Sequence, residues 1–327
     1  MATYLVTGVA GFIASRVATF LLADGHHVVG IDNLNDAYDV RLKEARLSSL
    51  RSHPNLTFHH ADITDRAALQ KIFAATGDQP FAAVINLAAR AGVRQSVENP
   101  WIYIDTNVTG TLNLLENCRV YGVSKFVLAS TSSLYGANNP QPFREDANTN
   151  GPLSPYAASK KAAEAFCYTY HYLYGIDVSI VRYFTVYGPA GRPDMSLFRF
   201  TQWISEGRPV KVFGDGQQSR DFTFVDDIAR GTVCALRPLG YEVMNLGSDE
   251  PVVLMDAIRM IEGLVGKKAI FEYIPLHPAD VTATWADISK AGQMLDWRPQ
   301  TRFLEGLTHL VEWYRQNREW ASKVTTW

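Results

Sequence analysis

Tyr156 and Lys160 stand four residues apart in the run Tyr156-Ala157-Ala158-Ser159-Lys160. On a helix that spacing puts both side chains on one face. A phenol ionises near pH 10, too high for a base at neutral pH. An ammonium one turn away favours the phenolate. Such a pair can draw the proton from a substrate hydroxyl, but it is also ordinary decoration of a helix surface, so its company decides. Upstream lies Ser130-Thr131-Ser132-Ser133-Leu134-Tyr135-Gly136. Hydroxyls at the carboxyl end of a strand point into the crevice where an open α/β sheet binds its ligand. Alone, the same cluster is turn chemistry.

A second constellation is Gly8-Val9-Ala10-Gly11-Phe12-Ile13-Ala14. Glycines three apart, between a strand and a helix, let backbone approach a pyrophosphate. The helix start then offers free N–H groups and a positive dipole end. A glycine-rich turn alone is a weak signal, and Asp32 at the end of the next strand strengthens it. Its carboxylate is placed for both adenosine ribose hydroxyls and repels a 2′-phosphate, which favours NAD over NADP. The competing reading of Asp32 is a turn residue before Asn33.

The elements that must position these residues follow from periodicity. Tyr4 to Gly8, His27 to Asp32, Leu56 to Asp62, Ala82 to Ala89 and Lys125 to Thr131 read as buried strands. Arg16 to Gly25, Arg66 to Ala75 and Gly110 to Gly122 read as helices between them. Strands this apolar, alternating with helices, predict a doubly wound parallel α/β (Rossmann) sheet covered on both faces. The second half is punctuated by Pro and Gly and reads as a smaller α/β C-terminal substrate-binding domain. The expected division is 1–186 and 187–327, with 222–247 returning to the first domain.

Composition bounds the reading. The chain has 327 residues, is 47% hydrophobic and 20% charged, and carries a net charge of −2. Nothing draws it as a whole to nucleic acid or an anionic membrane. Cys118, Cys167 and Cys234 are sparse and far apart, with neither a disulfide framework nor metal-ligand spacing, so no metal is expected. The start, MATYLVTG, lacks the basic region of a signal peptide. The expectation is a cytoplasmic protein without a membrane span.

Taken together, the glycine turn, Asp32, the hydroxyl cluster and Tyr156-x-x-x-Lys160 resemble the extended short-chain dehydrogenase/reductase family, and the resemblance spans essentially the whole chain. Ala14 stands where that family usually has a third Gly. The resemblance implies an NAD-dependent sugar-nucleotide epimerase. Thr131, Tyr156 and Lys160 are its catalytic residues, with Lys160 also on the nicotinamide ribose. Gly8, Gly11, Phe12, Ile13, Asp32, Asn33, Asn35, Asp62, Ile63, Leu87, Ala88, Ala89 and Tyr183 join Tyr156 and Lys160 in binding the cofactor, and Asn107 lies near the active site. Ser132 and Ser133 line the sugar pocket; relatives with Asp and Glu there eliminate water, which argues against a dehydratase. Phe213 stacks on uracil, Arg220 pairs with the diphosphate, and Asp280 accepts from the uridine ribose. Ala279 replaces a Gly common before that Asp.

Thr185, where most relatives have Asn, followed by Gly191-Arg192-Pro193-Asp194-Met195, is similar to the uronic-acid 4-epimerases within the family. Oxidation of such a sugar at C4 makes a β-keto acid, which readily loses carbon dioxide. An enzyme that keeps the carboxylate must hold it charged and turned so that the breaking bond is misaligned with the carbonyl. Arg192 and Thr185 suit that task, a bidentate cation and a small hydroxyl. The implied reaction is 4-epimerisation of UDP-linked glucuronate through a transient 4-keto sugar. Rival readings are 4-epimerisation of UDP-glucose, decarboxylation of the uronate, and a non-catalytic sugar-nucleotide-binding protein. The helices at 109–121 and 157–173, the second aromatic-rich, are candidate faces for a homodimer, or equally core.

Overall fold

A computed structural model describes residues 1–275 and 280–326; Ala279 lies outside them. The first half runs β1 (Thr3–Thr7), α1 (Phe12–Ala23), β2 (His27–Asp32), α2 (Val40–Arg51), β3 (Leu56–His60), α3 (Arg66–Ala74), β4 (Ala83–Asn86), α4 (Val93–Glu98) and α5 (Trp101–Tyr103). A π-helical turn (Ile104–Thr109) leads into α6 (Gly110–Tyr121), then β5 (Lys125–Thr131), a 3₁₀ turn (Ser132–Tyr135), α7 (Pro155–Tyr174) and β6 (Asp177–Tyr183). The second half holds β7 (Thr185–Tyr187), α8 (Ser196–Glu206), β8 (Pro209–Phe213), β9 (Ser219–Phe224), α9 (Val225–Cys234), β10 (Tyr241–Leu246) and β11 (Pro251–Val253). It ends with α10 (Leu254–Val265), β12 (Ile270–Ile274), α11 (Ser289–Leu295), α12 (Phe303–Gln316) and α13 (Arg318–Ala321).

Seven strands form one sheet in the order β10-β6-β5-β4-β1-β2-β3, and every pairing is parallel. Every residue of β4 and β5 is buried, because helices cover both faces. Val17, Leu21, Leu47 and Ile228, from α1, α2 and α9, pack one face. Leu69, Phe73, Leu114, Cys118, Ala163 and Cys167, from α3, α6 and α7, pack the other. Strand order reverses between β1 and β4, and the crevice at a doubly wound sheet's reversal point is where ligands bind. α1 begins at Phe12, four residues before the periodic run at Arg16, because Gly11 at the end of the glycine turn is itself the N-cap.

The second half builds its own core. Leu197, Trp203, Val212, Ile258 and Leu310 come together from α8, β8, α10 and α12. Several of its segments cross back: α9 lies on α1, β10 pairs with β6, Trp297 joins the core beside α1, Ala286 bridges to Phe143, and Val324 packs with Leu42. Among the described residues, no helix is long and apolar enough to cross a membrane.

Candidate active site

The glycine turn has no room for side chains. Gly8 sits at φ +70°, and a Cβ there would meet the Ala88 Cα and N at 2.9 Å. A Cβ on Gly11 would lie 2.7 Å from the Gly8 carbonyl oxygen. Ala14 is buried, so a small side chain serves where the helix packs on the sheet. Asp32 braces the turn: its carboxylate accepts from the Ala10 N–H at 3.1 Å and the Leu34 N–H at 2.8 Å. A carboxylate has about four acceptor positions, so capacity remains for hydroxyls. Phe12 and Ile13 form the first turn of α1.

Beyond β2, the Asn33 amide donates to Asp62 at 2.6 Å and the Asn35 amide to Asn33 at 2.7 Å. Burial pushes the Asp62 carboxyl up, but bonds from Thr64 and Asn33 outweigh it and leave the pKa below the usual range. Ile63 is buried against Gly110, where a Cβ would lie 2.5 Å from its Cδ1. Leu87, Ala88 and Ala89 follow β4, with the Ala88 N–H on the Thr7 hydroxyl at 3.1 Å. These groups surround the reversal point and fit a dinucleotide: a cradle without side chains, a helix start and a buried acid. Tyr183 ends β6 opposite Thr131, but its hydroxyl is turned into the core against Thr232 at 2.7 Å.

α7 carries the candidate base. Ser154 caps it, Pro155 opens it and Gly175 ends it in the left-handed conformation. Its registration on the sheet rests on Glu164, buried, which takes a 2.8 Å ion pair from Arg182 of β6 and a 2.6 Å bond from Ser130 of β5. Tyr156 is thereby set near Thr131, whose hydroxyl acts on the phenol. Burial pushes the Tyr156 pKa above its ordinary value, while the Thr131 hydroxyl and the Arg192 charge pull it down. Thr131 accepts from the Ser133 N–H at 3.1 Å and shares a 3.2 Å bond with the Ser133 hydroxyl. Ser132 and Ser133 form the 3₁₀ turn at the mouth of β5.

Lys160 differs from the simple helix-face picture. Its ammonium is buried and donates to the Ala129 carbonyl of β5 at 2.7 Å. Burial brings its pKa down to about 8. The cation whose charge reaches the Tyr156 phenol is Arg192, from the loop after β7. Arg192 makes a 3.1 Å bond to Asp194 as one arm of a bidentate pair, and with Thr185, Tyr187, Gly188 and Met195 it lines a small cavity of about 10 Å³. The two residues assigned to a carboxylate therefore share one wall.

Of the remaining expected residues, Phe213 ends β8, Arg220 lies in β9 and Asp280 borders the same region. The Arg220 guanidinium donates to the Ser219 carbonyl at 2.8 Å and the Val281 carbonyl at 2.7 Å. Its neighbour Asp221 is buried and accepts from the N–H groups of Ser248, Asp249 and Ala286, which ties the 280s loop to β9.

Arg46 and Arg94 escape sequence reasoning. Arg46 of α2, buried, donates to the Ala190 carbonyl at 2.6 Å, to the Ala10 carbonyl at 3.2 Å and to the Tyr38 hydroxyl at 2.7 Å. It thus joins the glycine turn to the loop that carries Arg192. Asn107, which the resemblance puts near the active site, lies in the π-helical turn, exchanges bonds with the Arg90 backbone and donates to Ser159 at 2.9 Å, fixing the loop after β4 against α7. Arg94 of α4 lies 3.5 Å above the centre of the Phe213 ring and 2.5 Å from Asp280. Only a polar residue on an otherwise buried helix face hints at Arg46, and no local pattern marks Arg94.

Residues 4–247 match the model of the NAD dependent epimerase/dehydratase family. The chain is 58% identical over 325 residues to a UDP-glucuronate 4-epimerase of Thermodesulfobacterium geofontis, covering 99% of each chain. It resembles the crystal structure of UDP-glucuronic acid 4-epimerase from Bacillus cereus in complex with UDP-glucuronic acid and NAD. The TM-score is 0.89 at 38% identity, over 96% of this chain and 99% of that one. A UDP-glucose 4-epimerase of Thermotoga maritima matches at TM-score 0.89 and 32% identity, over 97% and 99%.

Proposed function

We infer the function from the premise that the chain belongs to the NAD-dependent epimerase/dehydratase family. It epimerises UDP-glucuronate at C4, giving UDP-galacturonate with NAD as resident cofactor. The observation that supports this reading is that Thr185 and Arg192, the latter paired with Asp194, line one small cavity, with the Arg192 charge reaching Tyr156. A cation in that place recognises a uronate and has no counterpart to serve on a neutral hexose.

Tyr156, with the Thr131 hydroxyl beside it, takes the proton of the sugar's C4 hydroxyl and later returns it. The glycine turn and Asp32 would hold NAD, which when bound would supply reversible hydride acceptance at C4. Lys160, anchored on Ala129, would donate to the nicotinamide ribose of the bound cofactor. Arg192 and Thr185 hold the carboxylate charged and hydrogen-bonded while C4 is a ketone, which resists loss of carbon dioxide. Phe213 and Arg220 keep the nucleotide anchored while the keto sugar turns over in the pocket. Ser132 and Ser133 line that pocket.

The assembly is a homodimer through the outer faces of α6 and α7. Val120, Tyr168, Tyr172 and Leu173 there are exposed, with Tyr172 at 75%. Large apolar groups left clustered in water favour a partner surface. The three cysteines are unpaired, which suits a reducing cytoplasm.

An NMR time course with UDP-glucuronate, with and without added NAD, tests the reaction. UDP-galacturonate with its carboxyl carbon retained supports it. A UDP-pentose with released carbon dioxide refutes the carboxylate clamp, and turnover of UDP-glucose alone moves the substrate to a neutral sugar.

A further inference from the structure

The loop that carries Arg192 is held in a conformation its own sequence resists. Ala190 sits at φ +52°, in the left-handed region that residues other than glycine enter rarely. Such a residue persists where its surroundings over-determine it. Here Arg46 supplies the hold. Its guanidinium donates to the Ala190 carbonyl twice, from Nε at 3.0 Å and from a terminal nitrogen at 2.6 Å, and to the Gly191 carbonyl at 3.2 Å. Both peptide groups that lead from Ala190 into Arg192 are thereby fixed.

The other terminal nitrogen of Arg46 turns to the glycine turn. It donates to the Ala10 carbonyl at 3.2 Å and to the Tyr38 hydroxyl at 2.7 Å. The N–H of the same Ala10 donates to Asp32. Arg46 is buried, and the rings of Phe12 and Tyr38 flank its guanidinium at 5.7 and 5.5 Å. A rigid fork with five donors can serve two loops at once, which a single ammonium cannot. The distance between those loops matters to the reaction. A uronate gripped at its carboxylate by Arg192 and Thr185 must also present C4 in register with a cofactor bound at the glycine turn. A neutral hexose does not use the carboxylate grip, so its register depends less on that loop.

We propose that Arg46 is a positioning residue for uronate selectivity, which sets the Arg192 loop in register with the cofactor turn by holding Ala190 in its left-handed conformation. This rests on the UDP-glucuronate reading of the site. It joins cofactor placement and carboxylate recognition through one side chain that touches neither reacting group.

The readouts are kcat/KM for UDP-glucuronate and for UDP-glucose, and NAD affinity by calorimetry. Arg46→Lys keeps the charge but reaches one loop at a time. It lowers the preference for UDP-glucuronate over UDP-glucose, by up to about 100-fold for a misplaced grip, and it weakens NAD binding. Adding Ala190→Gly to that variant relieves the left-handed turn of strain, so part of the preference returns while NAD stays weak. A side chain that only stabilises the fold lowers both substrates in proportion and leaves their ratio alone. If Arg46→Lys lacks a cooperative melt, Ala190→Val carries the test. Its branched Cβ drives residue 190 out of the left-handed region with Arg46 intact, so the ratio falls while NAD affinity holds. A ratio within about twofold of wild type in Arg46→Lys or Ala190→Val, unchanged NAD affinity in Arg46→Lys, or no recovery in the double variant overturns the proposal. If the wild-type chain shows no preference for UDP-glucuronate, the UDP-glucuronate reading itself falls.

Discussion

Gly8→Ala separates the cost of backbone conformation from the cost of space. Gly8 is at φ +70°, and Gly25, at the end of α1, is at +77°. An alanine in that region costs about 1–2 kcal/mol. At Gly25 nothing lies within 4 Å of the added Cβ, so that is the whole expense. At Gly8 the Cβ meets main-chain atoms of Ala88 at 2.9 Å, and backbone cannot swing aside like a side-chain tip. Overpacking of this kind adds about 1–3 kcal/mol, for a total of roughly 2–5. The turn can relieve it by moving off Ala88, which spoils the cradle, so the energy reappears as lost cofactor affinity. At about 1.4 kcal/mol per tenfold, the loss is at least roughly 30-fold. Titration of NAD into both variants, with thermal melts alongside, reads both effects. Gly25→Ala melts lower by a few degrees, at about 2 °C per kcal/mol, and binds NAD like wild type. The reasoning is refuted if Gly8→Ala binds NAD within about threefold of wild type, or if both variants lose NAD equally.

Other expectations follow from the same geometry. Tyr156→Phe removes the only proton-transferring atom of that side chain; NMR should detect no product while calorimetry still detects UDP-glucuronate binding, and retained turnover would exclude the phenol as base. Arg192→Ala should lower the preference for UDP-glucuronate over UDP-glucose about 10- to 100-fold in kcat/KM, the worth of a charge-assisted contact; an unchanged ratio removes Arg192 from carboxylate recognition. Lys160 gives a pH signature. Its folded pKa of about 8 lies below the unfolded value of about 10.4. From about pH 8 to 10 the unfolded chain therefore binds more protons, and wild type gains stability as pH rises. Lys160→Met lacks that gain, so urea unfolding at about pH 7 and 9.5 should show wild type improving relative to the variant, by at most about 3 kcal/mol. A constant difference would mean that the ammonium is not paying for its burial.

Much of the site is readable from local order because its parts are local. The strand β1, the turn Gly8–Gly11 and the start of α1 are consecutive, and a run of apolar residues ending in a glycine pair leaves the backbone few choices. His27–Asp32 and Lys125–Thr131 coincide with their observed strands, since strands buried on both faces must be apolar throughout. Tyr156 and Lys160 are legible as one helix face for the same reason. The partners of those side chains are another matter. That Lys160 rests on Ala129, that Arg192 is the charge felt by Tyr156, that Arg46 links Ala10 to Ala190, and that Arg94 covers Phe213 all depend on how the second half docks on the first. No period in the chain encodes such contacts, because each joins segments whose separation in sequence is set by everything folded between them. Residue type and local spacing determined which groups could do chemistry here; the packing of β7, α8 and the 280s loop against the parallel sheet decided which charges and hydroxyls they face.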